Sequence, residues 1–172
     1  FKEQFRAKGL KGDEKTSQRD FAMCQLAVLQ HREVVEALGR VTHDPEVILR
    51  TLAVIYLGEQ AASPGLAGAK VTAAMKKNAD DPVIVMSALQ SLGSLKYLGA
   101  RAELKDLLKD EDFALKKTAI LAVGNIGDMR LLADLLRMVG IVATTDHDGS
   151  GSGAPSETEK QDGGKDGGQE TV

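Results

Sequence analysis

Five residues near the C-terminus have the spacing that most invites chemistry. Asp146, Asp148, Ser150, Gly151 and Glu157 fall on positions 1, 3, 5, 6 and 12 of a loop that wraps oxygens around Ca²⁺. The surroundings do not complete such a loop: Gly153 stands where an aliphatic residue belongs, Pro155 follows soon after, and no amphipathic helix leaves the segment. The stretch therefore reads as a flexible acidic segment rather than a metal centre. His31, His43 and His147 are isolated, with no His-x-x-x-His or His-Glu pair on one helical face. Cys24 is the only cysteine, which excludes an internal disulfide and a thiolate zinc cage; beside Met23 and Leu26 it reads as a small core residue. A nucleophilic serine needs a strained turn and a base, whereas Ser63, Ser87, Ser91 and Ser94 lie in helical pattern or at its ends with no histidine nearby in sequence. No catalytic residue and no cofactor is implied.

What remains is charge. Lys70, Lys77, Arg101, Lys105, Arg130 and Arg137 recur along the chain at positions that could line one surface for an acidic protein partner, and Lys70, Lys76 and Lys77 have no acid between them. The plain alternative is a solvated helical face, since Glu103, Asp106, Asp110 and Asp134 alternate with the later bases. Nucleic acid is disfavoured, because residues 1–143 carry only +2 of the net charge of −3 and the acidic tail carries −5. With 3% aromatic residues and no Trp, stacking platforms for bases or sugars are also disfavoured, and with them small-molecule capture.

These side chains must be positioned by helices. From Thr16 to about Gly140 apolar residues recur three and four apart, with no alternating β-branched run. The motif Ala-x-x-x-aliphatic-Gly occurs three times, as Ala53 to Gly58, Ala88 to Gly93 and Ala119 to Gly124, with ends 35 and 31 residues apart. Asp44-Pro45 and Asp81-Pro82 each put an N-cap acceptor before a proline whose missing N–H costs nothing, and Asp112 fills that slot in the third copy. Gly58, Gly93 and Gly124 are expected as left-handed stops of the first helix of each repeat. Ala102, Leu104 and Leu107 align with Ala133, Leu135 and Met138 in the second helices. The first repeat inserts Gln60 to Leu66 before a helix over Ala67 to Lys77, a longer turn expected to project from an edge. Upstream, Ser17 and Asp20 suggest a capping box opening a helix through Leu29, paired with a helix over Arg32 to Val41.

The Asp-Pro starts, the glycine endings and the period of ~31 residues resemble the HEAT repeat family, particularly its short bacterial, PBS-lyase-type form, over about residues 44–140. The resemblance implies an all-α fold, a short right-handed α-solenoid of helical hairpins whose second helices line a binding face. Three segments are expected: a flexible basic N-terminal segment (1–16), a repeat domain of about four helix pairs (17–142), and a disordered acidic Gly/Ser-rich tail (143–172). Leu57, Leu92, Leu104, Val123 and Leu135 are expected in the core. The function implied is a non-catalytic protein-interaction scaffold, the alternative being an enzyme or enzyme subunit, lyase-like or metal-dependent, with its site in the groove. Relatives of the deoxyhypusine hydroxylase type hold iron through His-Glu dipeptides, which this chain lacks, and glycosylase-type relatives rely on aromatic residues around the lesion, in which this chain is poor. The longest apolar runs, Leu52 to Leu57 and Ile120 to Val123, are far shorter than the ~20 residues of a membrane span, so a soluble protein is expected. The start at Phe1 rather than Met suggests a processed product or a fragment and leaves the compartment open.

Overall fold

The structure, a computed structural model, describes residues 14–140; the expectations for the first residues and for the acidic tail, with Asp146, Asp148, Ser150 and Glu157, fall outside them. Among the described residues there are eight α-helices and no strand: α1 (Glu14–Ala27), α2 (Arg32–Val41), α3 (Val47–Leu57), α4 (Pro64–Lys77), α5 (Pro82–Ser94), α6 (Arg101–Leu107), α7 (Phe113–Ile126) and α8 (Met129–Met138), with a 3₁₀ turn at Leu98–Ala100 leading into α6.

Acidic caps start the later helices. The Asp81 carboxylate accepts the amides of Val83 and Ile84 at 3.0 and 3.3 Å, with Pro82 in the first turn. Asp112 does the same for Ala114 and Leu115 at 2.7 and 3.2 Å. Asp128 accepts the Arg130 amide at 3.0 Å, an N-cap the sequence pattern had not marked. Each such bond satisfies a helix amide that has no carbonyl partner within its own helix.

At Asp44 the expectation fails by two residues. Its carboxylate accepts the Glu46 amide at 3.0 Å and is also held by Arg19 of α1, while Arg50 donates to the carbonyls of Asp44 and Pro45 at 2.9 and 3.1 Å. These contacts fix Asp44–Glu46 as a turn, and α3 begins only at Val47. The capping box at Ser17 is likewise absent: α1 already begins at Glu14 and ends at Ala27, and Asp20 accepts a hydrogen bond from the Tyr56 hydroxyl at 2.7 Å.

The Gln60 to Leu66 insertion is anchored at its first residue, while Ala61, Ala62, Pro64 and Gly65 are exposed. Gln60 is fully buried and donates to the Ala27 carbonyl at 2.8 Å. Gln30, in left-handed conformation at φ 48°, donates to the Glu59 carbonyl at 2.8 Å and accepts the Ala62 amide at 3.3 Å. The two glutamines staple the turn to the end of α1, and α4 starts at Pro64, three residues before the expected start.

The three repeated glycines are not left-handed stops. Gly58 caps α3 in right-handed conformation, whereas Gly93 and Gly124 lie inside α5 and α7. The left-handed residues at those helix ends are Lys96 and Gly127. The Tyr97 amide reaches the Leu92 carbonyl and the Lys96 amide the Gly93 carbonyl, at 3.1 and 3.2 Å, a Schellman ending built on lysine. What the glycines supply is close approach. A Cβ at Gly58 would stand 2.8 Å from the Ser91 Cα of α5, and one at Gly93 would stand 3.4 Å from the Ala122 Cα of α7. Ser91 locks the first notch by donating to the buried Val54 carbonyl at 2.9 Å.

The helices accordingly stack in two layers. The first helices pack in order α1, α3, α5, α7, and the second helices follow beside them as α2, α4, the 3₁₀ turn with α6, and α8. A continuous core runs between the layers, with Leu57, Leu92, Leu104 and Val123 buried and Leu135 partly buried, as expected; Cys24 is partly buried against it. Truncating one of the fully buried leucines to Ala would cost about 2–5 kcal/mol by transfer and cavity terms.

Candidate interaction face on the second helices

In the second-helix layer, long charged side chains connect one repeat to the next. Lys70 of α4 reaches back to Glu36 of α2 at 2.8 Å, its stem lying across Gly39, where a Cβ would be 2.9 Å from the Lys70 Cδ. Lys76 of α4 reaches forward to Glu103 of α6 at 2.5 Å, and Arg101 of α6 to Asp128 at the start of α8 at 2.6 Å. Within α8, Arg137 pairs with Asp134 at 2.8 Å.

The carboxylates feel these cations. The Lys70 ammonium, hydrogen-bonded to Glu36, holds that carboxyl below its ordinary value. The Arg101 guanidinium does the same to Asp128 against the cost of burial. For Glu103, burial opposes ionisation most strongly, yet the Lys76 hydrogen bond, the residue's own amide and the Lys76 charge together leave the carboxyl lowered.

The six expected cations therefore divide. Lys70, Arg101 and Arg137 each hold a carboxylate. Lys77 at the end of α4, Lys105 in α6 and Arg130 in the first turn of α8 are exposed and make no ion pair among the described residues. All six sit on second helices, which places them in one layer of the stack. Two of the three pairs between repeats share one separation, 76 to 103 and 101 to 128 both being 27 residues apart, whereas Lys70 and Glu36 are 34 apart.

Groups that could do covalent chemistry are engaged structurally. Ser87, Ser91 and Ser94 donate to the carbonyls of Val83, Val54 and Gln90 at 2.8, 2.9 and 3.1 Å. The His31 ring accepts the Glu33 amide at the start of α2, and the His43 ring lies 3.4 Å from the Thr42 hydroxyl. Burial pushes the Tyr56 phenol well above its ordinary value, and its bond to Asp20 adds to the shift. Among the described residues no group of His, Cys, Asp and Glu could hold a metal ion, and no helix is long and apolar enough to cross a membrane. What this face offers is a charged surface.

No curated protein matches the chain. The stack of antiparallel hairpins, with its acidic caps and its glycine notches at near-repeat spacing, coincides over residues 68–141 with the family model described as HEAT repeats, whose members generally serve as protein-interaction scaffolds. From the body of α4 onward, over residues 68–141, the chain is similar to HEAT-repeat proteins.

Proposed function

We propose that the chain is a non-catalytic scaffold whose second-helix face recruits a protein partner with an acidic surface. The observation that carries the reading is that Lys77, Lys105 and Arg130 stand exposed on three successive second helices without ion pairs among the described residues. Cations not neutralised within the protein are the ones left to steer and hold an acidic partner. Lys70, Arg101 and Arg137 are already satisfied by carboxylates, and Lys70 and Arg101, whose partners belong to the neighbouring second helices, fix the spacing of the helices that display the other three. A fixed spacing lowers the entropy lost on binding.

The test compares the whole chain with Lys77→Glu/Lys105→Glu/Arg130→Glu as bait in lysate of the source organism, read by mass spectrometry. The reading expects one partner enriched by the parent and lost with the variant, with an acidic patch on that partner. Equal capture by parent and variant would sink it. Substituting these exposed residues should leave the thermal midpoint nearly unchanged, so loss of capture would report the surface rather than the fold.

A further inference from the structure

Two different sets of contacts hold α1 to the stack, one at each end of the helix. In its first half Thr16 donates to the Glu46 carboxylate at 2.5 Å, Arg19 is hydrogen-bonded to Asp44 and lies 3.9 Å from Glu46, and Asp20 accepts the Tyr56 hydroxyl at 2.7 Å. These partners belong to α3 and to the turn that leads into it. At the far end the Ala27 carbonyl accepts the side-chain amides of the buried Gln60 at 2.8 Å and of Gln30 at 3.1 Å, and Gln30 also donates to the Glu59 carbonyl. Between the two ends, over residues 17–26, Met23 is the one buried apolar side chain, and Cys24 beside it is partly buried.

The other described helices do not depend on α1. It rests on α3 and meets α2 only lightly, whereas α2 packs on both α3 and α4, and α3 packs on α5. Lifting α1 therefore separates no other pair of helices. The apolar burial given up is also small, since α1 contributes Met23 and Ala27 to the core where α3 contributes Leu49, Ala53, Val54 and Leu57. What remains is a polar latch, and its Arg19 side chain is 38% exposed, so water competes for the ion pair. An element with few buried apolar contacts and partly exposed hydrogen bonds belongs to the part of a fold that opens first.

We propose that α1 is a strap: its first half lifts from α3 by releasing the Thr16, Arg19 and Asp20 contacts, pivoting on the glutamine-held end at Ala27, while α2 to α7 stay folded. Lifting opens the Cys24 thiol, the Met23 side chain and the Tyr56 hydroxyl to water. The motion lies in the first-helix layer and leaves the second-helix face unchanged, so it stands independently of partner recruitment.

The experiment is native-state hydrogen exchange of the whole chain by mass spectrometry, with alkylation of Cys24, the only cysteine, by iodoacetamide as a second readout. Two variants separate local lifting from unfolding of the whole. Tyr56→Phe removes the bond to Asp20 and should speed exchange in α1 and labelling of Cys24 about fivefold, the worth of one such hydrogen bond. Ile84→Val removes one methyl from the buried core of α5 and should speed exchange in α5 about three- to tenfold, yet leave α1 exchange and Cys24 labelling as in the parent, because α5 is intact when the strap lifts. Both changes are small enough to keep the chain folded, which circular dichroism checks. If Ile84→Val sped α1 and Cys24 as much as α5, α1 would open only with the whole chain and the proposal would be overturned. Unchanged α1 exchange in Tyr56→Phe would overturn it too, since the latch would then not be what holds the helix. So would parent α1 amides exchanging as fast as those of an unstructured peptide, which would mean that α1 is not docked at all.

Discussion

Adding one methyl group at each of the three repeated glycines should give three different outcomes, because each glycine faces a different neighbour. At Gly58 the new Cβ would stand 2.8 Å from the Ser91 Cα, 2.6 Å from its Cβ and 2.5 Å from its Oγ. Carbon atoms rest comfortably at about 3.5–4.0 Å, so α3 and α5 would have to part by about 1 Å. Overpacking of that kind costs about 1–3 kcal/mol. Parting the helices also strains the buried bond from Ser91 to the Val54 carbonyl, worth about 1 kcal/mol. Gly58 caps its helix rather than lying inside it, so Ala recovers little helix propensity there. The sum for Gly58→Ala is a loss of about 2–4 kcal/mol. At Gly93 the nearest atoms would be 3.3 and 3.4 Å away and the residue lies inside α5, so a gain of about 1 kcal/mol in propensity offsets a small strain. At Gly124 no neighbouring atom of the described residues lies within 4 Å, and Gly124→Ala should stabilise by about 0.5–1 kcal/mol. The assay is urea unfolding at low protein concentration, where the slope should stay constant and the Gly58→Ala midpoint should fall by about 1–2 M. If Gly58→Ala matched the parent, or if Gly124→Ala lost as much as Gly58→Ala, the glycines would not be docking notches.

Gly68→Ala should destabilise by about 1–3 kcal/mol, since its Cβ would overlap the Tyr97 ring, and adding Tyr97→Ala should recover part of the loss, which a double-mutant cycle measures. Asp128→Asn should keep the cap on Arg130 but lose the charge facing Arg101, for a cost of roughly 1 kcal/mol at neutral pH. Because the Asp128 carboxyl is lowered in the folded state, the unfolded chain binds more protons as pH drops below about 4, so the parent's advantage should shrink there. Unfolding curves of both proteins between pH 2 and 7 check this, and a gap that widened in acid would contradict the assignment. Lys96→Gly should raise stability by about 0.5–1 kcal/mol, because lysine holds a left-handed position at φ 51° that glycine adopts freely; a lowered melting temperature would contradict it.

Some features set by neighbours in the chain were legible in the sequence, although the local cap at Asp128 was not marked. Asp81 and Asp112 cap because a side chain two residues ahead of an amide can reach it whatever the rest of the protein does. The buried leucines followed from helical periodicity. Features that depend on distant partners were misread. A glycine near a helix end suggests a left-handed stop, yet Gly58 and Gly93 answer to a helix about one repeat away. Gln30 and Gln60 were silent because their partners are carbonyls, which every residue has. Asp44 looked like Asp81 in sequence, and only Arg19 and Arg50, remote from it in the chain or reaching back along it, moved the start of α3. On the candidate face the basic residues themselves were legible, but their division into paired and unpaired was not, since it turns on which acid each one meets: Glu36 on the preceding second helix for Lys70, Asp128 at the start of the next for Arg101, and Asp134 one turn back for Arg137.

The central claim is that the second-helix layer is the binding surface, and hydrogen exchange of the whole chain with and without its captured partner tests it most directly. Slowed exchange concentrated in α4, α6 and the first turn of α8, where Lys77, Lys105 and Arg130 reside, is the predicted result. Protection confined to α3, α5 and α7, with the second helices unchanged, would contradict the account.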